Sequence, residues 1–344
     1  MAPALRAEAE QTVELPIDAK AGSITDVQGI RVGHYTDTRR PTGCTVLLLD
    51  PGTVAGVDVR GGAAGTYGTE GLGLIHPDED LQALFLSGGS GYGLDVASGL
   101  LRYFEERGQG VHLAGATIPL IAGAILFDLE LGDWKIHPDA EAGYKAALAA
   151  TTDPVAEGNI GAGAGASVGK LFGMDRAMKT GLGTASKRIG NTDIWVGAIV
   201  AVNAVGDVYN PKTGQIVAGA LNDHHTGFHN TMKQIENGFG LELAPQAHTN
   251  TTIGIVATNA KLSRVQITKV AQMAHDGMAR SINPVHTLWD GDTIFGAATG
   301  KSATHVNHNA LGAVAAEVMA EAIVRGATQA KAAAGLTAYR DLKR

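Results

Sequence analysis

His248-Thr-Asn-Thr-Thr-Ile-Gly-Ile-Val-Ala-Thr-Asn259 joins a polar stretch to a run of small and β-branched residues. The plain reading is a loop that enters a strand, since threonine favours pleated backbone. A second reading is chemical. A threonine at the start of a strand can attack its own preceding carbonyl. An N-to-O acyl shift followed by ester hydrolysis would then cut the chain between Asn250 and Thr251. Thr251 would carry a free α-amine beside its own hydroxyl. Such an amine has a pKa of about 8, so a useful fraction is neutral near pH 7. It can act as general base for the hydroxyl.

The pattern around this stretch predicts mixed strands and helices. Thr45–Leu49, Gly56–Val59, Leu84–Leu86, Ile194–Val202, Ile253–Thr258 and Thr293–Ala298 read as short strands rich in β-branched residues. Ile194–Val202 is apolar nearly throughout, as suits a strand covered on both faces. Leu94, Ala97, Leu100, Leu101 and Phe104 form a helical stripe that ends at Gly108. Ser263 and Gln266 read as a capping box ahead of a second stripe through Ile267, Val270, Ala271, Ala274 and Met278. A third runs from Leu311 to Ile323, with Gly326 as its expected end. Strands and helices in this mixture predict sheet with covering helices, an α/β or α+β class. Residues 1–22 read as a flexible arm, and order is expected from about Ser23.

Composition sets some classes aside. The 344 residues are 44% hydrophobic and 18% charged, with net charge −7, as in a folded globular chain. Cys44 is the one cysteine, so an intrachain disulfide and a cysteine zinc cluster are excluded. No run of about 18 apolar residues is present, and the first 25 residues do not resemble a signal peptide, so no membrane partner and a cytoplasmic location are expected. The acidic balance argues against nucleic acid. Gly161–Lys170 lacks both the early glycine and the final Ser or Thr of a phosphate loop, having Ala164 and Leu171 there. Gly88–Tyr92 has Tyr92 where a nucleophile elbow needs glycine. His224, His225 and His229 read as a solvated loop rather than a metal site, and Asp78, Glu79 and Asp80 as a loop or helix start. No metal and no cofactor are expected.

A resemblance adds to these readings. Thr-Asp-Val-Gln-Gly-Ile-Arg-Val-Gly-His34 is similar to the opening of the DmpA-like family of self-cleaving N-terminal-nucleophile hydrolases. Further similar blocks are Gly56–Gly62, Leu86–Asp95, Pro154–Gly163, Ala201–Asp207, Asn250–Thr252 and Asp290–Thr293. They follow one order over roughly residues 24–325. The family includes L-aminopeptidase/D-amidase/esterases, β-aminopeptidases and the 6-aminohexanoate-oligomer (nylon-oligomer) endohydrolase. The resemblance implies that Thr251 is the nucleophile, released by cleavage after Asn250. It implies that the Asn203 amide helps to form the oxyanion site. It matches Lys170 to a lysine near the nucleophile, and Asp290 and Asp292 to paired acids that orient the Thr251 hydroxyl and amine. Read from the residues alone, Asn203 is a capped strand end, Lys170 a solvated lysine and Asp290–Asp292 a turn.

Two departures stand out. Threonine replaces the serine of many aminopeptidase relatives at the cleavage point. Phe127, in Ala124-Ile-Leu-Phe-Asp128, stands where characterised relatives carry a tyrosine hydroxyl. Tyr92, Phe127 and Trp289 are candidate pocket-lining residues. The implied fold is a four-layer αββα sandwich, a single domain over 23–344 cut into a chain ending at 250 and a chain of residues 251–344. The implied assembly is a homo-oligomer, a tetramer of cleaved pairs. The expected activity is amide hydrolysis on peptides, β-amino amides or 6-aminohexanoate oligomers, without a cofactor. Acyl transfer of the ornithine acetyltransferase type and a non-catalytic binding role are the alternatives.

Overall fold

The computed structural model describes residues 22–76, 80–239 and 250–342. Most of the expected arm, together with Asp78, Glu79, His248 and Thr249, lies outside these residues. Ser23 opens the described fold by capping a short 3-10 turn at Ile24–Asp26.

Ten strands build two central sheets. They are β1 (Ile30–Asp37), β2 (Thr42–Leu49), β3 (Val54–Val59), β4 (Gly65–Tyr67) and β5 (Ala83–Ser87). After these come β6 (Ile121–Ile125), β7 (Leu182–Arg188), β8 (Trp195–Ala201), β9 (Ile253–Thr258) and β10 (Thr293–Ala298). The first sheet has the order β1-β2-β5-β6-β4, and the second β7-β8-β9-β10-β3. In the second sheet β9 lies at the centre, antiparallel to β8 and parallel to β10. The helices are α1 (Val96–Glu105), α2 (Ala140–Leu148), the short α3 (Thr231–Glu236), α4 (Arg264–Ser281) and α5 (His308–Thr328). α1 and α2 cover the first sheet, and α4 and α5 cover the second.

Strand alternation produces the layering. In β2, Leu47 and Leu49 point between the sheets, where they meet Ile253, Ile255 and Phe295. Val46 and Leu48 of the same strand pack with Val96, Leu100 and Ala146 of the helices. In β8, Ile199 and Ala201 face the sheet interface, while Val196, Ala198 and Val200 meet Ile267, Val270, Val318 and Met319. Both faces of each sheet are therefore apolar, as period-two alternation between two covered faces requires. This is the four-layer αββα sandwich. No helix among the described residues is long and apolar enough to cross a membrane.

The expected strand Ile253–Thr258 and the Thr293–Ala298 strand have the bounds read from the sequence. The Ser263–Gln266 capping box forms at the start of α4. Other bounds differ: β2 starts at Thr42, β3 starts at Val54, and α1 ends at Glu105, short of Gly108. Gly326 does not end the last helix, which runs on to Thr328. Gly326 instead lies against β7: a Cβ on Gly183 would meet Ala322 O at 2.0 Å and Gly326 N at 2.3 Å. The glycine pair serves close approach of helix and strand, which a sequence cannot tell from a helix stop.

Candidate active site

β9 begins one residue beyond Thr252, so Asn250 and Thr251 lie at the entrance to the central strand of the second sheet. Asn250, Thr251 and Thr252 are all buried. The Thr251 hydroxyl donates to the carbonyl oxygen of Asn250. That carbonyl also accepts the N–H of Gly291 at 2.9 Å. The Thr251 N–H donates to the Asn203 carbonyl at 2.6 Å. The peptide that self-cleavage would break is thus held at both its oxygen and its nitrogen. Its carbonyl is polarised by a backbone donor, in the way an oxyanion site is built.

The strand pairing of β9 with β8 and β10 brings Asn203, Asp290 and Asp292 here, and backbone bonds from Gly169 and Lys170 to Gly206 and Val205 bring Lys170. Asn203 follows the end of β8 and is fully buried. Its Oδ1 accepts the Lys170 ammonium at 2.8 Å and the Ser167 N–H at 3.2 Å. Its Nδ2 donates to the Phe127 carbonyl at 3.2 Å. Lys170 follows a tight turn at Gly169 and is buried. Burial pulls its pKa down to about 8, opposed by the charges of Glu130, Asp290 and Asp128. A second buried lysine, Lys179, donates to the carbonyls of Gly163 at 3.2 Å and Ala166 at 3.1 Å. It also donates to the Thr180 carbonyl. It pins the loop that presents Ser167 to Asn203.

Asp290 and Asp292 lead into β10 and are both buried. Backbone bonds from the end of β3 hold them: Arg60 N–H and Gly61 N–H reach the Asp292 carbonyl, and Ala63 N–H reaches that of Asp290. Asp290 accepts the Val205 N–H at 3.2 Å and the Thr287 hydroxyl at 2.6 Å. Burial and the neighbouring Asp292 charge push its pKa up to about 7. Asp292 accepts the Thr252 N–H at 2.9 Å and, on its other oxygen, both the backbone N–H (3.0 Å) and Nδ1 (2.9 Å) of His286.

The five expected polar residues are thereby brought together around one peptide, with one difference from the expected contacts. Neither carboxylate bonds the Thr251 hydroxyl or nitrogen. Their partners are the N–H groups of residues 252 and 205, because the Thr251 hydroxyl faces its own preceding carbonyl. Lys170 is buried rather than solvated, and Asn203, Asp290 and Asp292 are buried with polar partners, as buried polar groups require. Among the pocket candidates, Phe127 joins the site through its carbonyl. Trp289 is half-buried beside Asp290. Tyr92 is 49% exposed and stacks on His137, with ring centroids 4.6 Å apart, within reach of Trp134.

Residue reading from sequence missed Gly291, Ser167, Glu130 and His286. The first two act through backbone N–H groups, which leave no side-chain signal. Gly291 has a steric one: a Cβ there would lie 2.7 Å from the Thr251 hydroxyl oxygen.

The αββα sandwich is shared with a solved structure described as a variant among the Ntn hydrolase fold. The model of peptidase family S58 matches residues 22–340, and the chain belongs to that family. It is an amide-bond hydrolase by that membership. It is 39% identical to an uncharacterized aminopeptidase of Mycobacterium tuberculosis, over 93% of this chain and 97% of that one. It is 34% identical to the 6-aminohexanoate-oligomer endohydrolase of Paenarthrobacter ureafaciens, over 87% of this chain and 84% of that one. Among solved structures, a Burkholderia sp. beta-aminopeptidase aligns with a TM-score of 0.67 at 25% identity, covering 94% of this chain and 93% of that one. The L-aminopeptidase D-Ala-esterase/amidase of Ochrobactrum anthropi shares the fold with a TM-score of 0.65 at 20% identity, over 92% and 89% of the two chains.

Proposed function

We propose that the chain cuts itself between Asn250 and Thr251 and then hydrolyses linear amides through a Thr251 acyl-enzyme. The observation that carries this reading is the Thr251 hydroxyl laid on the Asn250 carbonyl while Gly291 N–H polarises the same oxygen. In the first reaction Thr251 Oγ1 adds to the Asn250 carbonyl carbon, and the hydroxyl proton passes to the Thr251 nitrogen. The C–N bond breaks and an ester forms. One water hydrolyses the ester, which leaves the Asn250 carboxyl and a free Thr251 amine. In the second reaction that amine takes the hydroxyl proton as Oγ1 attacks a substrate carbonyl. The proton goes on to the departing amine, and water releases the acyl group.

Gly291 N–H then serves the substrate oxyanion, joined by the second hydrogen of the Asn203 amide. Lys170 contributes positive charge through Asn203. Asp290, with a pKa near neutrality, is the acid–base member of the carboxylate pair, and Asp292 holds the backbone of Thr252. Glu130 is exposed, and its charge is felt by Lys170, so it marks the mouth of the site as a place for a substrate ammonium.

The substrate class we favour is short linear oligomers of an ω-amino acid such as 6-aminohexanoate, or peptides with a free amine end. The names of the relatives support it. We further propose that cleaved pairs assemble into a homo-oligomer. The first test is intact mass of fresh protein beside Thr251→Ala. Two fragments with Thr251 as a new N-terminus, absent in the variant, are expected. A chain that stays at 35.4 kDa after long incubation would sink the proposal. Release of amine from 6-aminohexanoate oligomers and from dipeptide amides then separates the two substrate classes.

A further inference from the structure

Asp292 does not stand alone behind Thr252. His286 gives it two donors on one oxygen, the backbone N–H at 3.0 Å and Nδ1 at 2.9 Å. A carboxylate accepts only, so the hydrogen of this imidazole sits on Nδ1. His286 can present both donors to one oxygen because its backbone is left-handed, with φ +57. Behind it lies His275 of α4, fully buried, with ring centroids 4.8 Å apart at 74°. The His275 Nε2 donates to the Asp58 carbonyl at 3.0 Å. Burial pulls the His275 pKa down to about 4, so it stays uncharged near neutrality. His275 Nδ1 and His286 Nε2 are buried with no hydrogen-bond partner among the described residues. A bare buried nitrogen costs about 1–3 kcal/mol, so this placement needs a reason beyond packing.

The two carboxylates are served differently. Asp292 receives three N–H donors. Asp290 receives the Val205 N–H at 3.2 Å, a long contact from the Thr287 N–H at 3.4 Å, and the hydroxyl of Thr287, which can also accept. We propose that His286 is a positioning residue that commits Asp292 to the acceptor role and so leaves Asp290 as the member of the pair that takes the proton. The inference rests on the acid–base reading of the pair given above. The charged and titratable groups around His286 are Asp292 ahead of β10 and His275 on α4; Asp58 and Arg60, from β3 and its end, act on His275, and Lys170 and Asp292 act on Asp290.

The test uses the backbone at position 286. Glycine and asparagine both tolerate left-handed φ, so neither substitution strains the chain. His286→Gly removes the imidazole and keeps the backbone donor. His286→Asn returns a side-chain N–H near the place of Nδ1. Aspartate carboxyl carbons are followed by NMR through a pH series in the uncut Thr251→Ala chain, with Asp290→Asn to assign the signal. The expected result is one carboxyl that titrates near neutrality and is lost in Asp290→Asn. In His286→Gly the shared proton moves towards Asp292: the Asp290 carboxyl midpoint falls by about one pH unit or more, and the Asp292 carboxyl takes over the step near neutrality. His286→Asn keeps the original midpoint. An unchanged midpoint in His286→Gly overturns the inference, as does the lack of any carboxyl that titrates near neutrality. Failure of the functional reading is seen separately, as absence of self-cleavage in the chain that retains Thr251.

Discussion

Lys170 shows what one residue contributes here. Its ammonium is buried and bonded to Asn203 Oδ1, and Asn203 holds the Thr251 N–H through its own carbonyl. Lys170→Met therefore leaves Asn203 with the Ser167 N–H but without the charge. Self-cleavage and turnover are each expected to fall tenfold or more, about 1.4 kcal/mol per factor of ten. The fold should persist, because a buried charge is removed rather than stranded. Melting temperature beside fragment yield on a gel checks both. Glu130→Gln should raise KM for substrates with a free amine end, with kcat little changed, as steady-state assays on amine-free and amine-bearing pairs will show. The pKa values also set a pH dependence of stability. Asp290 rises from 3.8 to about 7, so its contribution is present below about 4 and lost as pH rises through 7. Lys170 and Lys179 fall from 10.5 to about 8 and about 7. The unfolded chain then binds protons that the native chain has released, and their contribution is regained as pH rises from these values towards 10.5. From these three groups, the melting temperature of Thr251→Ala is expected to pass through a minimum near pH 7. Calorimetry over pH 4–10 reads it, and a maximum there would contradict the burial of these groups.

Elements decide how close the layers approach. Gly183 on β7 lies under Ala322 and Gly326 of α5 with room for hydrogen alone. Gly183→Ala would drive a methyl into the Ala322 carbonyl and lift α5 from its sheet. A loss of about 1–3 kcal/mol is expected, as for overpacked cores, read as a fall in denaturation midpoint. Much at this scale was legible beforehand. The capping box of α4 depends on local spacing and formed as read, as did most of the stripes of α4 and α5; in α1, Ala97, Leu100 and Phe104 are buried as expected, but Leu94 lies ahead of the helix in a 3-10 turn. β9 and β10 were legible from their β-branched runs. Strands such as β1, with Gly33 and His34 inside it, and β7, with its polar end, were not. Their pairing partners, rather than their own residues, make them strands. The end of α5 was misread for the same reason: Gly326 answers to Gly183 across the layer, not to its own helix.

The whole molecule explains why a cut between Asn250 and Thr251 need not undo the fold. β9 follows the cut directly and is held on one side by β8 and on the other by β10. Its Ile253 and Ile255 are buried between the sheets. Residues 1–250 and 251–344 should therefore co-elute as one species on size exclusion after cleavage and separate only under denaturant. Fragments that part in native buffer would show that the interface is not the core described here. The sequence by itself determined the local terms: the apolar periods, the caps, the absence of a disulfide, and a threonine poised before a strand. Its resemblance to a family supplied the names of Thr251, Asn203, Lys170, Asp290 and Asp292. What those five touch was decided by tertiary structure alone. Residues 170, 203, 251 and 290 are far apart in the chain: the pairing of β8, β9 and β10 brings 203, 251 and 290 together, and the backbone bonds of Gly169 and Lys170 to Gly206 and Val205 bring in Lys170. The donors that complete the site, Gly291 N–H and Ser167 N–H, are backbone groups common to nearly every residue, so only their position in space gives them a role.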